Sequence, residues 1–158
     1  MILRDATAAD AEAIAAIWNR EIRDGVSTFN TIEKELGAIK AAIASEVVFL
    51  VAEDAGAVVG FATFGPFRGG PGYALTMEHT IYLAEAARGT GIGRALMAKL
   101  EVEAKARGVH VLVAGVGGEN GGGIAFHKAM GFVEVGRMPQ VGRKFDRWMD
   151  LVLLQKLL

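Results

Sequence analysis

The chain reads Arg88-Gly89-Thr90-Gly91-Ile92-Gly93-Arg94 where a predicted strand, residues 76–83, is followed by a predicted helix, residues 91–107. Glycines at such a junction allow backbone N–H groups to converge on an anion, and the helix N-terminus adds roughly half a positive charge. The dinucleotide pattern G-x-G-x-x-G is excluded because Arg94 holds its third glycine position, and a P-loop is excluded because no Gly-Lys-Ser/Thr follows. The stretch predicts a cradle for a phosphate or pyrophosphate; from spacing alone, the alternative is a turn that only starts a helix.

The hydrophobic pattern on either side of this loop predicts alternating strands and helices. Strands are predicted over residues 2–4, 47–52, 58–64, 76–83, 109–114, 132–135 and 148–154, and helices begin near residues 7, 31, 91 and 120. The pattern [ST]-x-x-[DE] at Thr7 and Asp10 supports the first helix start. The order β-α-α-β-β-β-α-β-α-β-β, without a linker, predicts one α/β (α+β) domain that spans residues 1–158.

Composition and charge exclude several classes of protein. The 158 residues include no cysteine, which excludes thiolate metal sites, redox pairs and a cysteine nucleophile. The 17 Lys and Arg residues against 18 Asp and Glu give a net charge of −1, so no overall field favours nucleic acid or an anionic membrane. The three histidines lie far apart, and no paired spacing predicts a metal site. With no long apolar run and no signal-peptide pattern, we expect a cytoplasmic protein without a membrane segment.

Two motifs give the chain a family resemblance. Residues 88–96, which follow a strand and open an amphipathic helix, resemble the acyl-CoA pyrophosphate loop of the GNAT superfamily of N-acetyltransferases. Residues 127–132, His-Lys-Ala-Met-Gly-Phe, resemble that superfamily's aromatic-x-x-x-Gly-Phe helix end, and Asn120 follows the strand at residues 109–114. The resemblance implies a central mixed, mostly antiparallel sheet flanked by about four helices. It also implies acetyl-CoA as co-substrate, with no metal.

Two further stretches narrow the resemblance to one branch. Residues 76–82, Thr-Met-Glu-His-Thr-Ile-Tyr, are similar to a strand of the phosphinothricin and methionine sulfoximine N-acetyltransferases, and residues 139–151 resemble that branch's C-terminal motif. Ala74 stands where the branch often has a substrate-contacting arginine, and glycines fill residues 121–123 where the loop usually ends in a serine. The resemblance implies a homodimer that acetylates the α-amino group of methionine sulfoximine, methionine sulfone or phosphinothricin. The alternatives are another amine, such as a protein N-terminus or a polyamine, and a non-catalytic acyl-CoA sensor.

Glu78 and His127 are the candidate catalytic residues. A substrate amine is largely protonated at neutral pH, and Glu78 would remove its proton as general base, directly or through a water. The period of two along a strand places Glu78 and His79 on opposite faces, so we expect His79 to be packed or paired structurally. His127 occupies the family's thiolate-facing aromatic position, and as an imidazolium it would protonate the leaving sulfur. If the family motifs are set aside, the alternative interpretation of Glu78 is a solvated or ion-paired carboxylate, and that of His127 is a buried core residue.

The resemblance also implies two sets of binding residues. The cofactor-binding residues are Ile81, Tyr82, Leu83, Arg88, Gly89, Thr90, Gly91, Ile92, Gly93, Arg94, Asn120 and Lys128. The substrate-binding residues are Phe29, Arg68, Tyr73 and Lys144, where Arg68 and Lys144 supply positive charge for a carboxylate and the two aromatic rings form walls. Lys144 and Phe145 are alternatively part of a dimer interface.

Overall fold

Seven strands and four helices follow one another in the order predicted from the sequence. The computed structural model describes all residues from Met1 to Leu158. The strands are β1 (Ile2–Asp5), β2 (Phe49–Asp54), β3 (Ala57–Pro66), β4 (Thr76–Leu83), β5 (Val111–Gly117), β6 (Val133–Lys144) and β7 (Arg147–Leu157). The helices are α1 (Ala11–Asp24), α2 (Leu36–Ser45), α3 (Ile92–Ala106) and α4 (Gly121–Ala129). None of these helices combines the length and the apolar character that crossing a membrane requires.

All seven strands form one sheet in the order β1-β2-β3-β4-β5-β7-β6. Only β4 and β5 are parallel, because α3 carries the chain from one end of the sheet back to the other between them. Every other neighbouring pair is antiparallel. The expectation of a mixed, mostly antiparallel sheet with four helices is confirmed.

The helices cover both faces of the sheet and bury two apolar clusters. One cluster joins α1 and α2 to β2 and β3 around the fully buried Phe61. The larger cluster joins α3 to the opposite face, where the helix lies mainly on β3 and β2 and contributes Leu96 and Leu100 to the core. Because helices cover both faces, the successive residues Leu112, Val113 and Ala114 of β5 are all buried, as its nearly continuous apolar sequence predicted.

Helix α2 begins at Leu36, five residues later than predicted. Asn19 on α1 explains the delay, because its side chain binds the backbone of Lys34 in both directions. The Asn19 Oδ1 accepts from Lys34 N at 2.8 Å, and Asn19 Nδ2 donates to Lys34 O at 3.1 Å. These two bonds hold the segment before the helix in a non-helical conformation, which is a tertiary effect that local sequence does not reveal.

The hairpin formed by β6 and β7 is longer than predicted. Strand β6 continues past Pro139, which lies in an irregularity of the β6–β7 register between Met138 and Gly142, where no ladder N–H is needed. The hairpin turns at Phe145 and Asp146, which both have positive φ, of 55° and 56°. A two-residue turn of this kind matches the twist of the strands that it joins.

Candidate active site

A cleft opens through the sheet where β4 and β5 separate. The two strands pair only from Thr76 with Val111 to Glu78 with Val113, and beyond these positions they diverge. The diverging ends, residues 80–83 of β4 and 114–116 of β5, line a cleft of about 1090 Å³. This volume is at the upper limit of ordinary small-molecule sites, so it has room for a large ligand and a smaller one together. We call this opening the seam.

The glycine loop forms one end of the seam. Gly89 and Gly91 have φ of +74° and +88°, values that L-residues rarely adopt, and nothing lies within 4 Å of the place where a Cβ would stand. Gly93 lets α3 pack closely on β4, since a Cβ there would lie 3.1 Å from Leu83 Cδ1. The loop backbone is therefore open to the seam at a helix N-terminus, which is the geometry that binds a phosphate.

The other residues predicted for this loop have distinct positions. Arg94 is exposed at the seam without an ion-pair partner, whereas the Arg88 guanidinium is paired with the Glu21 carboxylate of α1. Ile92 is buried in the core and anchors the start of α3. Thr90 donates its Oγ1–H to the Ala87 carbonyl at 2.6 Å, which shapes the turn.

Backbone donors on β4 face into the seam. The Ala84 N–H donates to Val59 O on β3, and hydrogen-bond directions alternate along an antiparallel pair. By this alternation the Tyr82 N–H points to β3, while those of Ile81 and Leu83 point toward β5, where the seam leaves them without a strand partner. The structure thus presents two of the three predicted backbone positions to a ligand.

Glu78 lies at the point where the seam begins. Its side chain has no ion pair and no hydrogen bond, and the partial loss of water contact in the cleft raises the pKa of the carboxyl. Gly115 on the facing strand makes room for it, since a Cβ there would lie 3.0 Å from Glu78 Oε1. An unpaired carboxylate with a raised pKa in a cleft is suited to accept a proton.

His79 and His127 form a buried pair on the opposite face of the sheet. Their side chains are 93–94% buried, and their Nε2 atoms are 2.9 Å apart. His127 Nδ1 is 2.7 Å from the Gly123 carbonyl. Burial lowers the pKa of His127, so the imidazolium that an acid role requires is disfavoured. The prediction that His79 is paired structurally and lies on the other face from Glu78 is confirmed.

The loop between α1 and α2 forms the wall of the seam away from the glycine loop. Lys144, only 5% exposed, donates to three backbone carbonyls, one at the end of α1 and two in this loop: Glu21 O at 3.1 Å, Gly25 O at 2.6 Å and Thr28 O at 3.1 Å. All three ammonium hydrogens are thus engaged within the protein. This placement differs from the prediction that Lys144 contacts a substrate carboxylate: the side chain instead fixes the loop that carries Phe29 into the seam.

The remaining predicted residues are divided between the seam and the surface. Asn120 lines the seam and caps α4, accepting from Gly123 N at 2.9 Å. Lys128 is exposed in the last turn of α4, outside the seam. Arg68 and Tyr73 also lie outside it, in the segment between β3 and β4, where the guanidinium is 5.6 Å from the ring centroid. The structure therefore does not bring these three side chains into the cleft.

Glu21 is a seam residue that sequence reasoning missed. It is largely buried, pairs with Arg88 and accepts from Ser27 Oγ at 2.7 Å, so it connects the α1–α2 loop to the glycine loop. Its partner Arg88 is 67 positions away, and no local pattern marks the contact. Among all residues, no group of three or more His, Asp or Glu side chains is arranged to hold a metal ion.

Comparison with known proteins gives a consistent result. Residues 12–132 match the model of the acetyltransferase (GNAT) family. Over 98% of its length the chain is 38% identical to an L-methionine sulfoximine/L-methionine sulfone acetyltransferase of Salmonella typhimurium, and it covers 93% of that protein. A ribosomal-protein-alanine N-acetyltransferase structure from Brucella melitensis is 41% identical with a TM-score of 0.94, and both chains are covered completely. A phosphinothricin acetyltransferase structure from Sinorhizobium meliloti, in complex with acetyl-CoA, is 34% identical with a TM-score of 0.95, covering 99% of this chain and 88% of that one.

Proposed function

The chain belongs to the acetyltransferase (GNAT) family, and from this premise we propose that it acetylates the α-amino group of a small amino-acid analogue. Methionine sulfoximine, methionine sulfone and phosphinothricin are the proposed acceptors, because relatives named for these activities match the chain over most of its length. The observation that carries the proposal is the unpaired Glu78 carboxylate at the start of the seam, on the same cleft as the open glycine loop. Acetyl-CoA, the family's co-substrate, supplies the acetyl group as an activated thioester.

The glycine loop and β4 are suited to hold that co-substrate. The N–H groups around Gly89, Gly91 and Gly93, together with Arg94, are proposed to bind its pyrophosphate. The unpaired N–H groups of Ile81 and Leu83 are proposed to bind the pantetheine arm and the thioester carbonyl. Backbone donors aimed at a developing oxyanion are worth about 3–4 kcal/mol each in other enzymes, so they are a large part of the expected rate enhancement.

Glu78 is proposed to act as general base. It takes a proton from the acceptor ammonium, directly or through one water, and the neutral nitrogen then attacks the thioester carbonyl. The N–C bond forms and the C–S bond breaks, with the electron pair of that bond leaving on the sulfur. The nitrogen then gives up its second proton to this thiolate, so the products are the N-acetylated acceptor and CoA as a thiol, while Glu78 holds the first proton. The raised pKa of Glu78 brings its basicity closer to neutral pH, which favours this proton transfer.

Arg68 is proposed to bind the carboxylate of the acceptor. The side chain lies outside the seam and has no ion-pair partner, and it is proposed to reach the acceptor from the segment that follows Gly65 and Pro66, which line the seam. Lys144 is engaged elsewhere, so Arg68 is the remaining predicted cation for this role. Phe29 is the proposed apolar wall, because it already lies in the seam.

CoA release across a panel of amines tests the proposed function. The panel contains the two methionine derivatives, phosphinothricin, ordinary amino acids, spermidine and a peptide that begins with alanine. The peptide represents a second candidate acceptor, a protein N-terminus, which the 41% identity to the Brucella melitensis protein favours. We expect turnover on the amino-acid analogues. Turnover on the peptide alone would mean that the acceptor is a protein N-terminus and not an amino-acid analogue. Acetyl-CoA binding without turnover on any amine would indicate a non-catalytic sensor.

We also propose that the protein is a homodimer. The hairpin of β6 and β7 exposes several large apolar side chains, namely Val133, Val135, Met138, Val141 and Trp148. Exposed apolar patches of this kind mark interaction surfaces in soluble proteins. Light scattering after size exclusion is expected to give twice the chain mass of 16.7 kDa.

A further inference from the structure

One hydrogen bond joins the two elements that line the cofactor half of the seam. It runs between the Nε2 atoms of His79 on β4 and His127 on α4, at 2.9 Å, and the ring of Phe132 packs against both imidazoles. His79 and His127 both line the seam, although each is at least 93% buried. This buried pair has no role in the proton transfer assigned to Glu78.

The partners of the pair determine where its protons are. A backbone carbonyl only accepts hydrogen bonds, so His127 Nδ1, which is 2.7 Å from Gly123 O, must carry a proton. In a neutral imidazole the other nitrogen is then an acceptor, so His79 Nε2 must be the donor of the bond between the rings. This leaves His79 Nδ1 without a proton, and it is also the buried side-chain atom that has no hydrogen-bond partner. One tautomer for each ring therefore accounts for both hydrogen bonds of the pair and for the unpartnered His79 Nδ1.

We propose that His79 is a positioning residue that donates its Nε2–H to His127 Nε2, holds His127 as a neutral imidazole, and fixes α4 against β4 at the seam. The helix needs such a tie, because it begins with Gly121, Gly122 and Gly123, which have weak helix propensity. Two side chains hold this first turn: Asn120 accepts from Gly123 N, and His127 donates to Gly123 O. His79 acts through His127, whose ring it holds in place.

The proposal gives His127 a different role from the one expected from sequence. Its single ring proton is donated to Gly123 O and its Nε2 lone pair accepts from His79, so no N–H is available for a leaving thiolate. Burial also favours neutral rings, since it lowers the pKa of both imidazoles, that of His79 to about 3. His127 thus transmits the position of β4 to the first turn of α4.

Nitrogen-15 NMR of the histidine side chains tests the tautomers without reference to activity. The chain has three histidines, and the exposed His110 is identified by a His110→Gln variant. Near neutral pH we expect His127 to be protonated on Nδ1 alone and His79 on Nε2 alone, with a through-hydrogen-bond coupling between the two Nε2 atoms. A doubly protonated His127, or a His79 protonated on Nδ1, would overturn the proposal.

Steady-state kinetics test whether the position of α4 matters for catalysis, and this second experiment rests on the proposed acetyl transfer. His79→Leu removes the donor and is expected to lower kcat roughly tenfold, because small displacements near reacting groups are costly. His79→Gln, whose amide N–H can still donate, is expected to restore most of that loss. His127→Gln keeps an acceptor for His79 and should lose no more than about tenfold, whereas an acid role predicts a loss of about 100-fold or more. A fully active His79→Leu variant, or a 100-fold loss in His127→Gln, contradicts the proposal; failure on every amine in the panel would instead reject the proposed function.

Discussion

Glu78 and His79 are adjacent in sequence and have opposite environments. Glu78 faces α1 and α2 with an unpaired carboxylate in the open seam, and His79 faces α3 and α4 in a buried pair. Both reach the same cleft, because the cleft is a gap in the sheet and is lined from both faces. Strand periodicity alone places them on different faces and cannot show that the gap exists.

Glu78→Gln is predicted to lower kcat about 100-fold or more, which is the lower end of the usual contribution of a general base. The base acts as a carboxylate with a raised pKa, so the rate of the unaltered enzyme should fall as the pH drops through that pKa. The variant should lose this acidic limb. Rates of CoA release against pH check both points, with Glu134→Gln on an exposed strand position as the control. An active variant with the same acidic limb would remove Glu78 from the mechanism.

Lys144→Met is predicted to raise the acceptor KM while leaving the KM for acetyl-CoA nearly unchanged. The substitution removes the donor that joins the carbonyls of Gly25 and Thr28 in the α1–α2 loop to the Glu21 carbonyl at the end of α1, and this loop is the proposed acceptor wall. Losing these bonds should also reduce the free energy of unfolding by at least about 2 kcal/mol. Lys105→Met, at an exposed position on α3, is the matched control. Equal changes in both KM values would mean that Lys144 has no selective effect on the acceptor site.

At the scale of elements, the α1–α2 loop lies on two strands whose glycines make room for it. A Cβ at Gly117 on β5 would lie 1.9 Å from the Val26 carbonyl oxygen, and one at Gly142 on β6 would lie 2.4 Å from the Phe29 ring. The loop therefore lies directly on the strands, and its position depends on the absence of side chains there. These glycines explain part of the high glycine content of the chain, 21 residues.

Gly142→Ala is predicted to destabilise the protein by about 1–3 kcal/mol, the usual cost of overpacking. Gly136→Ala on the same strand should have little effect, because nothing lies within 4 Å of its Cβ position. Urea unfolding measures both. In a Phe29→Ala background the cost of Gly142→Ala should decrease, since the ring that it meets is gone. An undiminished cost would show that the Phe29 ring is not what the new methyl group meets.

At the scale of the whole molecule, the sheet consists of two parts that pair over only three positions. Strands β1 to β4 form one part, and β5, β7 and β6 form the other. A ligand bound in the seam as proposed would contact the glycine loop and β4 on one side and α4 on the other, and would bridge both parts. Binding should consequently stabilise the fold as a whole rather than one loop.

Acetyl-CoA at about 100 times its Kd is predicted to add about 2.7 kcal/mol to the stability of the protein. For a chain of this size each kcal/mol raises Tm by about 2–4 °C, so a shift of roughly 5–10 °C is expected in a thermal melt. Arg94→Gln should reduce the shift at the same ligand concentration, whereas Arg107→Gln, at the far end of α3, should not. Identical shifts in the two variants would exclude Arg94 from the binding site.

The sequence by itself determined the order of elements, the glycine loop and the opposite faces of Glu78 and His79. Each of these follows from short-range patterns: periodicity of apolar residues, glycine at a strand–helix junction, and alternation along a strand. The resemblance in residues 76–82 and 88–96 added the family, which the comparisons confirm.

Tertiary structure alone decided the features that depend on distant partners. The seam exists because β4 and β5 stop pairing at Glu78, which no local pattern specifies. Lys144 binds a carbonyl 123 positions away, and His79 bonds to a histidine 48 positions away. A lysine near aromatic residues resembles a ligand-binding cation in sequence, and only the three carbonyls around it show that its charge is already engaged. The physical reason is general: hydrogen-bond partners of buried polar groups are set by packing between elements, whereas the elements themselves are set by local chemistry.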